Sequence, residues 1–82
     1  MEINDFLKQR RSTSDPDLTR LIDEVIFAVE NPFYKDLLIR HYIDGRSCRE
    51  IAGELFFSLR HVKRLLSRAR DAAEVVYKDL YK

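Results

Sequence analysis

Eighty-two residues make one domain, and a chain this short buries only roughly 60% of its unfolded surface, enough for one small core but not for a deep substrate cavity as well. With 45% apolar and 35% charged residues the composition is that of a compact globular chain, and two Gly and two Pro argue against the many tight turns of an all-β fold. The net charge of +1 conceals a segregation: residues 45–70 carry seven bases against two acids, residues 15–44 seven acids against three bases. That is the footprint of a small nucleic-acid binder, and equally of a solvated basic face. No apolar run approaches the ~18 residues of a membrane span, and the first eleven residues lack the apolar stretch of a secretory signal. The single cysteine, Cys48, can form no internal disulfide, so the expectation is a cytoplasmic chain with no membrane contact.

In chain order, residues 1–14 read as a tail or a short frayed helix in which Phe6 and Leu7 can dock on the body. A firm helix starts at Asp15-Pro16, with Asp15 as N-cap and Pro16 in the first turn. Its Leu18, Leu21, Ile22, Val25 and Val29 form one apolar stripe. Asn31-Pro32 ends that helix and starts the next, because the residue before proline is pushed out of the α region. The second helix runs from Pro32 to about Ile43 and buries Tyr34, Leu37, Leu38 and Tyr42. Gly45, able to turn left-handed, closes it. Ser47 caps a third helix, with Glu50 at the spacing of a capping box and Cys48, Ile51, Ala52 and Leu55 on one face. A fourth helix follows the cap Ser58 and meets no breaker before the C-terminus.

That last helix has two faces. Val62, Leu66, Ala69, Ala73, Val76 and Leu80 recur at 4-3-4-3-4, widened by Leu65 and Ala72. At about 100° per residue, Arg60, Arg64 and Ser67 point the other way, flanked by Lys63 and Arg68. The expectation is an all-α fold: a small bundle of four main helices in a single domain, residues 15–82. Two short helices joined by a few residues, the second with an outer basic face, meet the requirements of a helix-turn-helix, with Ser47–Phe56 supporting and Ser58–Arg70 as recognition helix. Ala52 is the small residue at the crossing, which Ile51, Leu55, Val62 and Leu65 lock.

The stretch Leu38–Arg70, LIRHYIDGRSCREIAGELFFSLRHVKRLLSRAR, resembles region 4 of the sigma-70 family and its small phage relatives, the ArpU-like and RinA-like late transcription regulators. The resemblance is carried by Tyr42-Ile43-Asp44-Gly45, Ser47, Glu50-Ile51-Ala52, Leu55, Ser58, Val62-Lys63 and Arg68-Ala69, about forty per cent of the chain without a gap. It implies a module that binds double-stranded DNA at promoters, in contact with RNA polymerase, rather than a complete sigma factor. By position, Ser58 caps and touches a phosphate, Leu59, Arg60, Lys63 and Arg64 face the groove, and His61, Ser67 and Arg68 flank them. Arg46 and Arg49 sit where they can clamp a phosphate or pair with Glu50 or Glu54. Two departures stand out: Phe56 occupies the turn position where the family usually has Gly, and Leu59 replaces a polar base-reading residue, leaving a thymine methyl as its partner.

Phe57 is expected in the core and Phe56 exposed, a candidate partner contact. His41 is expected to pack or cap. With only Cys48, His41 and His61, and none at ligand spacing, no metal site is expected, and neither is a cofactor. No phosphate loop or nucleophile–base pair points to an enzyme. Ala69, Ala73, Val76 and Leu80 either pack back on the first helix or form a homodimer seam. Beside the transcription-regulator reading stand two others: a sigma-like module that binds polymerase or another regulator, and the DNA-binding subunit of a phage packaging complex.

Overall fold

The computed structural model describes residues 2–81; Met1 and Lys82, the outer limits of the two expected segments, lie outside the described residues. The chain is all-helical, with five helices and no strand among the described residues. They are α1 (Ile3–Lys8, continued by a 3₁₀ turn Gln9–Arg11), α2 (Pro16–Phe27), α3 (Pro32–Leu38, continued by a π-helical turn Ile39–Ile43), α4 (Cys48–Leu55) and α5 (Leu59–Leu80).

Local chemistry fixes where four of them begin. Asp15 accepts from the backbone N–H of Asp17, and Asn31 from those of Phe33 and Tyr34, with proline in each first turn. Ser47 and Glu50 form the reciprocal capping box of α4. Ser58 accepts from the N–H of His61 at the start of α5. These caps satisfy donors that the first turn of any helix leaves orphaned.

The segment 1–14 adds a fifth helix to the four main ones expected. Phe6 and Leu7 are buried in the main core beside Ile22, Val25, Ile26, Val29, Leu38, Tyr42, Ala69 and Ala73. The Phe6 ring lies 4.7 Å from that of Tyr77, and Arg10 holds Asp23 of α2 at 2.7 Å, so α1 is fastened at both ends. At six residues α1 is too short to show a period in the sequence, and its docking on the core stabilises it.

Ala69 and Ala73 are wholly buried against α1, α2 and α3, so the candidate homodimer seam is consumed within the chain over these two turns. Val76 is half-buried on the same core, and Leu80 is 51% exposed. A second cluster sets how α4 lies on α5: Leu37, Ile51, Ala52, Val62 and Leu66 are buried together, with Leu55 and Leu65 partly so. Burial of each large aliphatic here contributes about 1.5–3 kcal/mol, and Ala52 lets the two helices approach. Leu37 of α3 backs the crossing, a contribution the α4 and α5 periodicities do not reveal. Among the described residues no helix is long and apolar enough to cross a membrane.

Candidate nucleic-acid interface

The link between α4 and α5 is three residues, Phe56–Ser58, and its first residue carries the turn. Phe56 has φ 58° and ψ 38°, left-handed, and its N–H bonds to the Ala52 carbonyl, as does that of Phe57. This is the backbone that glycine adopts freely and that a bulky side chain adopts at a cost of about 1–2 kcal/mol. The Phe56 side chain recovers none of that inside the molecule, being 95% exposed. Phe56 therefore takes a backbone suited to glycine and adds an exposed ring.

Phe57 departs from its expected place in the core. It is 37% exposed, its ring edge-on to His61 at 4.8 Å and to Phe33 at 6.4 Å. The left-handed turn at Phe56 directs the chain outward, so Phe57 caps a surface cluster instead of filling the α3–α4–α5 core. His61 is exposed on α5 with its ring against Phe57.

Beyond the turn, the first three turns of α5 present Arg60, Lys63, Arg64, Ser67 and Arg68, all exposed. None of the four cations makes an ion pair among the described residues. Ser58 is exposed and its hydroxyl is committed to the cap. Leu59 is half-buried, unlike its cationic neighbours, because its place in the first turn lies toward the body rather than along the cationic row. It does not share the fully exposed face on which its sequence position suggested it.

The two arginines before and within α4 part company. Arg46 is ion-paired with Glu54, which also accepts from Arg40 at 2.7 Å, and Arg40 in turn holds Asp36 at 2.8 Å. Arg46 is therefore charge-neutralised by α4 itself, the pairing that competes with a phosphate clamp. Arg49 is exposed and makes no ion pair among the described residues. Arg70, the last base of the basic segment, is half-buried and donates to the Tyr42 hydroxyl at 3.4 Å. Burial raises the Tyr42 pKa above its ordinary value, while Arg70 acts in the opposite sense.

The loop leading into α4 is held from three sides. His41 Nδ1 lies 2.7 Å from the Arg46 carbonyl, and since a carbonyl only accepts, this nitrogen carries the proton. The Arg46 N–H bonds to the Arg40 carbonyl at 2.9 Å across the wide last turn of α3. Gly45 sits at φ +77° beneath the Arg11 guanidinium, where a Cβ would collide with it. Ser47 is thus delivered to cap α4 in a fixed position, and α4 carries Arg49. Among the described residues no group of three or more His, Cys, Asp or Glu side chains is placed to hold a metal ion. Cys48 is half-buried at the start of α4. No protein-family model, curated protein or solved structure matches this chain.

Proposed function

We propose that this chain is a sequence-specific regulator of transcription that binds duplex DNA through a helix-turn-helix of α4 and α5, with the turns after Ser58 lying in the major groove. The observation that carries the reading is one row of exposed, unneutralised cations, Arg60, Lys63, Arg64 and Arg68, on a helix capped at its outer end and backed by α4. A groove about 12 Å wide admits such a helix, and guanidinium forks in its first turns reach base edges while the flanking bases meet phosphates. Arg49 stands near the start of α4, where it adds a phosphate contact. The left-handed turn between the helices supports the same reading, since glycine, usual at this position in the sigma-70 region 4 family that the sequence resembles, adopts such a backbone freely.

A fluorescent mixed-sequence duplex titrated at low and moderate salt tests it, with the wild type beside an Arg60→Ala, Lys63→Ala, Arg64→Ala triple variant. Each phosphate contact contributes about 0.9 to the slope of log affinity against log salt. The wild type should weaken steeply with salt, and the variant should bind more weakly with a shallower slope. Equal and negligible binding by both proteins at low salt refutes the proposal. The exposure of Phe56 favours a second reading, a sigma-like module that docks on RNA polymerase or another regulator through that ring; in that case the same titration is flat and Phe56→Ala abolishes the protein contact.

A further inference from the structure

The second half of α5 carries an apolar stripe that the body covers only in part. Ala72 and Val76 are half-buried, Val75 is 62% exposed and Leu80 51% exposed. They form one wall of an open groove of about 610 Å³ whose other wall is Ala28, Val29 and Tyr34, with Glu30 and Asp79 on its rim. We infer that this groove is occupied by the same stripe of a second copy of the chain, the two α5 helices running antiparallel about Val76.

Three features of the stripe favour a second copy over another occupant. With the two-fold at Val76, Ala72 of one copy lies opposite Leu80 of the other, small against large on both sides of the axis, as a packed helix pair requires. The same register brings Arg68 of the partner subunit to within about 8 Å, along the helix axis, of Asp79 on the acidic rim, given a rise of 1.5 Å per residue. The geometry of α5 supplies the third. At about 100° per residue the stripe is centred roughly 80° to one side of the buried row Val62, Leu66, Ala69, Ala73, and roughly 140° to the other side of Arg60, Lys63 and Arg64. A two-fold perpendicular to the helix therefore turns both cationic rows to one side and both bodies to the opposite side.

The spacing that results deepens the DNA reading and, in this part only, rests on it. Arg64 lies twelve residues from Val76, about 18 Å, so the two cationic centres are offset by about 36 Å along the helix axis. One turn of duplex separates half-sites by about 34–36 Å. The dimer would thus meet successive major grooves on one face of a two-fold symmetric site.

Sedimentation equilibrium of the full chain across a concentration series tests the association without DNA. The wild type should approach twice the monomer mass, and Val75→Asp should remain a monomer with unchanged helicity, because Val75 packs little within the chain. Phe27→Asp, exposed outside this groove, should still dimerise. The register is read by disulfide trapping in a Cys48→Ser background: Ala72→Cys and Leu80→Cys proteins, mixed and oxidised, should crosslink to each other more than to themselves. A wild type that stays monomeric at every concentration, or a Val75→Asp protein that dimerises as well as the wild type, overturns the inference; crosslinks confined to identical partners overturn the antiparallel arrangement. A dimer that binds no duplex at low salt leaves the association intact and removes only the DNA reading.

Discussion

Replacing Phe56 separates the turn from the ring. At 95% exposure the side chain buries on the order of 10 Å² of the 150–250 Å² a phenyl ring can offer, so truncation forfeits only about 0.3 kcal/mol. The left-handed backbone at φ 58° costs any residue with a Cβ about 1–2 kcal/mol. Phe56→Ala keeps that cost and loses the small burial, so it should be slightly less stable than the wild type. Phe56→Gly relieves the cost, and the greater freedom of glycine in the unfolded chain takes back about 0.5–1 kcal/mol. The net expectation is a gain of about 0.5 kcal/mol for Phe56→Gly, or a rise of about 2–4 °C in melting temperature for a domain of this size. Thermal unfolding followed by far-ultraviolet circular dichroism reads both variants against the wild type. At an ordinary right-handed helical position glycine is worse than alanine, so the order Gly above Ala is the diagnostic result. Ala above Gly would refute the left-handed turn, and a loss above about 1.5 kcal/mol in both would mean that the ring is packed.

Gly53 sits inside α4, and a Cβ built there meets nothing within 4 Å. Gly53→Ala should therefore stabilise the chain by about 0.5–1 kcal/mol in the same melt, with no repacking to offset it. Tyr42 offers a pH test. Its hydroxyl donates to Asn4 at 2.8 Å and accepts from Arg70, so Tyr42→Phe should cost about 1 kcal/mol at neutral pH. Because burial raises the folded pKa above the ordinary 10.0, the folded state holds the proton more tightly than the unfolded one. The corresponding stability is present in full below pH 10.0 and is lost as pH rises from there toward the raised value. Denaturant melts on either side of that pH should show the decline in the wild type and a smaller one in Tyr42→Phe.

What could be read from the sequence was what depends on neighbours along the chain. The caps Asp15, Asn31, Ser47 and Ser58 each bond a backbone N–H two or three residues on, and all four act where their sequence context places them. The buried rows of α2, α4 and α5 follow the same logic, since a helix turns its period into a face without reference to the rest of the fold. What escaped depends on contacts distant in sequence. In the sequence Arg46 is open to a phosphate, to Glu50 or to Glu54, and which of them it meets is not legible there; it is Glu54, because α4 returns that carboxylate beside the loop that precedes it. Leu37 supports the α4–α5 crossing from α3. Phe57 reaches the surface because of the backbone at Phe56, whose sign of φ no hydrophobic pattern encodes. Ala69 and Ala73 belong to the chain's own core because α1, α2 and α3 together reach them, which leaves outward only the neighbouring stripe at Ala72, Val75 and Leu80.

These pairings also change the meaning of the basic segment. Of its seven bases, Arg46 is neutralised by Glu54 and Arg70 is turned toward the Tyr42 hydroxyl. Arg49, Arg60, Lys63, Arg64 and Arg68 make no ion pair among the described residues, and all five are exposed. Four of these lie within nine residues on α5, so their fields add over a short row instead of spreading over the molecule. Many of the acids lie elsewhere, Asp15, Asp17, Asp23 and Glu24 on or beside α2 and Asp36 held by Arg40 on α3, while the exposed Asp71 follows the row on the same face of α5 without an ion pair to it among the described residues. Folding thus engages the two bases that the fold itself uses and leaves four of the other five on α5, a denser row of positive charge than the raw count along the sequence conveys.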